Sequence, residues 1–220
     1  PVKTESMEET AKCMLDFFGD DKVDRVYSDG HASLVQATEK LGINHEPSQP
    51  GVPHTNAIVE NSVGDELRGV RTSLVQAGFP LCLWPYATRC YSTLENCRAR
   101  KDGQSPYKAR FKAEPDFLRI PLGAFVWFIP APTKYEVSKA APRLVPGILM
   151  GYRMAPGGRF SGQYIAVDIM ARHTLFYFQE HFVQKVVLPD EENGSRFRFP
   201  LKAKYERTNI TIEGRDDPIG

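Results

Sequence analysis

No uninterrupted apolar run in this 220-residue chain reaches the roughly eighteen residues that a membrane-spanning helix needs, and no basic-then-apolar leader opens it. Neither a membrane span nor a secretory signal is expected. Cysteine is scarce: Cys13, Cys82, Cys90 and Cys97 form no CxxC, and no histidine pair stands at zinc spacing, which excludes the usual zinc ribbons and fingers. Cys90 and Cys97 fall two turns apart on one expected helix, about 10 Å, too far for a disulfide. Buried, reduced thiols are therefore expected, which suits an intracellular setting. An excess of one charge is missing too. Lys and Arg number 28 against 27 Asp and Glu, so the chain as a whole is not a basic nucleic-acid binder.

What is present is enough sequence for one large domain or two small ones with real cores. The chain opens on Pro1 rather than Met, as a processed product or an excised fragment does. Its charge is unevenly spread. Residues 1–30 hold four Lys/Arg against eight Asp/Glu, whereas residues 98–112 (RARKDGQSPYKARFK) hold six Lys/Arg against one Asp. That short basic run is either a solvated loop or a patch that faces phosphates.

Helical signals dominate the first half. Ser6 and Glu9 form a capping box, Met7, Ala11, Met14, Leu15 and Phe18 fall on one face, and Gly19 suits the stop. Residues 23–28 read as a strand that ends at Ser28-Asp29-Gly30. Leu34, Ala37, Thr38 and Leu41 mark a short helix closed by Gly42, and residues 43–46 a second short strand. The loop 47–55 holds three prolines. Helical spacing resumes with Val59, Val63, Leu67, Val70 and Leu74, and Glu60 sits one residue off that stripe. Pro85 opens a further helix with Trp84, Ala87, Tyr91 and Leu94 as its core stripe, and Ser105-Pro106 a last short turn. From Pro115 the character changes. Residues 124–129, 144–152, 163–169 and 174–187 are rich in aromatic and β-branched residues, with Pro156-Gly157-Gly158 as a turn between them. They predict a small antiparallel β domain. After Pro189 the chain turns polar, as a tail does.

Two acidic residues stand where metal chemistry could use them. Asp29 follows a strand and Glu60 lies in the first turn of a helix. Such carboxylates can meet in space and are hard oxygen ligands suited to Mg²⁺ or Mn²⁺. Each also has an ordinary role: Ser-Asp-Gly is turn chemistry, and a first-turn Glu complements the helix dipole.

The order LGI, PSQPGVPHTN, IVE over residues 41–60 resembles the end of the catalytic core of retroviral and retrotransposon integrases. The stretches ELRGVRTSLVQAGFPLCLWPYATRCYSTLEN, GQSPYKARFKAEPDF, PGILMGYRMAPGGRFSGQYIAVDI and FYFQEHFV resemble its copia-type branch. An ordered series of motifs over residues 23–187 is more specific than any single one. The resemblance implies an α/β RNase H-like integrase core, N-terminally incomplete here, over residues 1–115. A small antiparallel β domain follows over 116–188, SH3-like if it follows retroviral integrase C-terminal domains, and a polar tail over 189–220. It implies Asp29 and Glu60 as the second aspartate and the glutamate of an Asp-Asp-Glu metal triad holding Mg²⁺ or Mn²⁺. Asn56, Arg68, Arg71, Arg98, Arg100, Lys101, Lys108, Arg110 and Lys112 become the expected nucleic-acid contacts.

The pattern departs from the family in places. Thirty residues separate Asp29 from Glu60, fewer than usual, and Gly30 and Ala57 stand where Asn and Gly are common. The first aspartate of the triad belongs on a strand for which there is no room before Asp29. The function implied is DNA integration: metal-dependent trimming of element ends and their joining to target DNA, in the nucleus, by a homo-oligomer when the integrase is complete. A fragment without the first aspartate is expected to be inactive alone. The rival readings are a non-catalytic DNA-binding or protein-interaction module derived from an integrase, and a structure-specific nuclease of the same fold.

Overall fold

The computed structural model describes residues 6–48, 57–131, 142–169, 179–191 and 194–207. In chain order these form α1 (Met7–Phe18), β1 (Arg25–Ser28), α2 (Ala32–Leu41), β2 (Asn44–Pro47), α3 (Ala57–Ala77), α4 (Trp84–Asn96), α5 (Pro106–Phe111), β3 (Phe125–Phe128), β4 (Val145–Ala155), β5 (Arg159–Asp168), β6 (Glu180–Val183), β7 (Val186–Val187) and α6 (Pro200–Arg207). They divide into two compact units, Pro1–Leu67 with Met154–Ser161, and Arg68–Arg153 with Gly162–Gly220. His173 and the expected strand start at Thr174 lie outside the described residues.

In the first unit α1 begins where the capping signal places it, with the Glu9 amide donating to Ser6 Oγ at 3.3 Å. It ends at Gly19, whose φ of +59° and close approach to the Gly157 backbone both exclude a side chain. Helix α1 lies on α2, and Ala11, Ala37 and Thr38 are buried. Strands β1 and β2 run parallel, from Arg25 opposite Asn44 to Ser28 opposite Pro47. A parallel pair needs a crossover, which α2 supplies. Gly42 closes that helix in the left-handed region and gives its amide to the carbonyls of Thr38 and Glu39.

The expected buried stripe of α3 is only half buried. Val59, Val63 and Leu67 are about half exposed, whereas Val70, Leu74 and Ala77 are in the core. The periodicity is continuous, but burial needs a neighbour. Beyond Arg68 the helix has one in α4, whose Tyr91 ring occupies the space a side chain at Gly69 would need. On α1, likewise, Leu15 of the expected inner face is exposed.

The second unit holds a five-stranded sheet in the order β6-β5-β4-β3-β7. The pairs β3–β4, β3–β7 and β5–β6 are antiparallel, with Phe125 opposite Ile148 and Tyr164 opposite Val183. The Pro156-Gly157-Gly158 turn joins β4 to β5 as expected. Val126, Phe128, Leu149 and Met150 form the centre of the core. Residues 115–121, where the sequence places a joint between domains, form a packed strap. Phe117 and Ile120 are buried. The Tyr152 hydroxyl accepts the Ile120 amide at 2.6 Å and donates to the Ile120 carbonyl at 2.7 Å, while Tyr164 Oη accepts the Leu118 amide at 2.9 Å. The strap, the strands and α4 therefore share one unit.

Further differences concern Trp84, two of the cysteines and the stretch after residue 189. Trp84, expected in the core, is 44% exposed, while Ala87 of the same stripe is fully buried. Cys90 and Cys97 are buried free thiols, as expected, but Cys13 and Cys82 are exposed. The stretch after residue 189 is polar yet carries α6; the Phe125 amide donates to the Arg198 carbonyl at 2.8 Å, and the first residues of α6 abut Gly78.

Candidate functional site

Asp29 is the first residue beyond β1 and is exposed. The chain turns there because Asp29 Oδ1 accepts the His31 amide at 3.3 Å, an Asx-type bond that leads into α2. Glu60 lies in the first turn of α3, also exposed. Both belong to the first unit. Because β1 and β2 are parallel, their carboxyl ends lie at the same edge of the pair. Asp29 stands at one of those ends, and the chain that leaves the other runs through the Pro-rich loop to Glu60. Residues 49–56 of that loop, Asn56 among them, lie outside the described residues.

Both carboxylates are hard oxygen donors and both are exposed to solvent. Among the described residues no group of three or more His, Cys, Asp or Glu is arranged to hold a metal ion.

The bonds around Asp29 include two that the sequence does not reveal. Ser28 Oγ donates to the Asp29 carbonyl at 2.9 Å and lies 2.8 Å from His45 Nε2. His45 sits on β2 opposite Val26. Only the register of the parallel pair brings His45 to Ser28, and nothing in the local sequence encodes that register.

The expected nucleic-acid residues that are described all lie in the second unit. Arg68 and Arg71 are exposed on α3. Arg98 pairs with Glu95 at 3.1 Å, Lys108 pairs with Glu114 at 2.6 Å, and Lys112 Nζ donates to the Ala109 carbonyl at 2.8 Å. The Arg110 guanidinium stacks over the Phe111 ring, 5.7 Å from its centroid. Arg100 and Lys101 are exposed on a tight turn, which the bonds from the Gly103 amide to the Arg100 carbonyl and from the Gln104 amide to Asp102 Oδ1 hold in shape. Exposed ion pairs are weak, so Arg98 and Lys108 can exchange their partners for a phosphate at little cost.

The strongly shifted groups are structural. Burial pushes the Cys90 thiol up to about 12 and also raises Cys97, which leaves neither as a thiolate nucleophile. Burial, with the hydrogen bond to Glu180 second, raises the Tyr86 phenol to about 12. That bond ties α4 to β6 within the second unit. His181 is buried on β6 with its ring 5.2 Å from that of Phe128.

No protein-family model matches the chain, and no curated protein does. Among solved structures, the chain is similar to a chain in the cryo-EM structure of the simian T-cell lymphotropic virus intasome in complex with PP2A regulatory subunit B56 gamma. The likeness has a TM-score of 0.40 and 12% identity, and covers 84% of this chain and 65% of that one. The chain thus spans less than two thirds of that neighbour's length. A likeness of this size decides neither fold family nor function. Among the described residues no helix is long and apolar enough to cross a membrane.

Proposed function

We propose that this chain is part of a copia-type retrotransposon integrase, with the elements from α1 to α3, β1 and β2 included, belonging to an RNase H-like core and β3 to β7 to a DNA-positioning domain. The observation that supports it is topological. A parallel β–α–β unit puts Asp29 at the carboxyl end of β1, and β2 leads from the same end through a Pro-rich loop to Glu60 in the first turn of a long helix. Ligands of parallel α/β sheets bind at the carboxyl ends of strands. Of the motifs read from residues 41–60, LGI leads from α2 toward β2 and IVE lies in the first turn of α3.

In this reading Asp29 and Glu60 supply two carboxylate ligands to Mg²⁺ or Mn²⁺. The ion, when bound, supplies Lewis-acid stabilisation to phosphoryl oxygens. The reaction is phosphodiester hydrolysis at an element end, followed by attack of the freed 3′ hydroxyl on a target phosphodiester. The chain's own part is to hold the carboxylates at the strand and helix ends. Arg98, Arg100, Lys101, Lys108, Arg110 and Lys112 position DNA through its phosphates, with little sequence readout. The partners are element ends and target DNA, with the chain's own oligomer, in the nucleus.

A strand-joining assay tests this. The 220-residue chain alone is expected to join no strands, since among the described residues no group of three or more His, Cys, Asp or Glu could hold a metal ion. A longer chain that carries a third, strand-borne aspartate is expected to join them. Asp29→Asn or Glu60→Gln in that longer chain then lowers joining by more than about 100-fold, beyond what loss of a merely supporting group costs. Robust metal-dependent joining by residues 1–220, or full activity of either variant, contradicts the reading. A second reading, a DNA-binding module without catalysis, draws on the same shortage of ligands. It is the one that stands if the longer chain is inert while the short one binds DNA.

A further inference from the structure

The end of β1 is held more firmly than strand pairing requires. The ladder is completed by the Ser48 amide, which donates to the Ser28 carbonyl at 2.8 Å. The Ser28 side chain adds a second connection: its Oγ lies 2.9 Å from the Asp29 carbonyl and 2.8 Å from His45 Nε2. A serine hydroxyl has one proton to give. With that proton directed to the Asp29 carbonyl, the bond to His45 requires the ring to donate from Nε2. The neutral Nε2–H tautomer and the imidazolium both do so, and the connection holds in either charge state. Ser28 and His45 are half-buried, which limits competition from water, whereas Asp29 is exposed. Its carboxylate is in turn turned toward α2 by the His31 amide at 3.3 Å.

We infer that His45 and Ser28 are positioning residues for the Asp29 carboxylate. They fix the peptide that follows β1, so that the Asp29 side chain leaves the strand end in one direction. The inference rests on the reading of Asp29 as a metal ligand. Strand pairing alone would need only the backbone ladder; the hydroxyl-to-carbonyl bond acts on Asp29. Groups that orient a metal ligand matter roughly 10- to 100-fold in metal affinity.

The test uses the full chain and NMR. In the metal-free protein, nitrogen spectra of the His45 ring are expected to show Nε2 protonated, and the Gly30 and His31 amides to relax as rigid backbone. His45→Phe and Ser28→Ala loosen those two amides. With Mn²⁺ alone as probe, the concentration that half-broadens the Gly30 amide rises roughly 10-fold in both variants. His45→Gln, which keeps a donor, and Ser28→Thr, which keeps the hydroxyl, return it to the parent value. A His45 ring protonated on Nδ1 alone, or an unmoved midpoint in both His45→Phe and Ser28→Ala, overturns the inference. Asp29→Asn separates the two claims. Broadening that survives it overturns the ligand role of Asp29; broadening lost in Asp29→Asn but unmoved in His45→Phe overturns the positioning role alone.

Discussion

At the scale of single residues, Gly123 and Tyr152 show how the second unit resists change. Gly123 has a φ of +77°, and a side chain there would press on Ala77, itself fully buried. Gly123→Ala is expected to destabilise the protein by about 2 kcal/mol or more, from the left-handed backbone and from overpacking together; chemical denaturation measures it. Tyr152→Phe removes the partner of both backbone groups of the buried Ile120. Unsatisfied buried groups cost about 1–3 kcal/mol, and the same denaturation experiment is expected to show a loss of that size. Cys90 gives a pH dependence. Its thiol rises from 9.0 to about 12 in the folded chain because it is buried. Between those values the unfolded thiol ionises while the folded one keeps its proton, so stability is fully present below pH 9.0 and falls as pH rises toward about 12. The slope from this one group is about 1.4 kcal/mol per pH unit. Denaturation at several alkaline pH values is expected to show a slope shallower by about that much in Cys90→Ala than in the parent.

At the scale of elements, local signals were legible and pairings were not. The Ser6 cap, Gly42, the Ser105-Pro106 start of α5 and the Pro156-Gly157-Gly158 turn act over a few residues, and the structure places element ends beside them. The stripe on α3 was equally clear, yet Val59, Val63 and Leu67 are exposed, because periodicity names a face and not its neighbour. The bridge from His45 to Ser28 depends on strand register, and the strap that Tyr152 and Tyr164 hold depends on bonds across more than thirty residues. Neither leaves a trace in adjacent sequence. The basic stretch is a different case: composition located it, and the structure sorts its members. Arg100 and Lys101 stand exposed on their turn, while Arg98, Lys108 and Lys112 have local partners. DNA binding is expected to weaken as salt rises, and replacing Arg100 and Lys101 with Ala to reduce the salt slope by about 2. Affinity and slope unchanged after neutralising all six residues would mark the stretch as a solvated loop.

At the scale of the whole molecule, the division falls within α3 and at the β4–β5 tip rather than in the proline-containing stretch near residue 115. Trypsin is therefore expected to spare the Arg119–Ile120 bond of the 115–121 strap in the native chain, since buried Phe117 and Ile120 must leave the core before it can be cut; early cleavage there, read by mass spectrometry, would make it a linker after all. The first unit carries the proposed chemistry on a parallel pair of short strands and two exposed carboxylates. The proposed function requires that Asp29 and Glu60 serve one cation. Titration of the chain with Mn²⁺, followed by NMR at the amides of Gly30 and Asn61, tests it most directly. Both amides are expected to broaden weakly over the same range of metal, and both effects to vanish together in Asp29→Asn and again in Glu60→Gln. Broadening at Gly30 that persists unchanged in Glu60→Gln, or at Asn61 in Asp29→Asn, would show two independent carboxylates and contradict the proposed site.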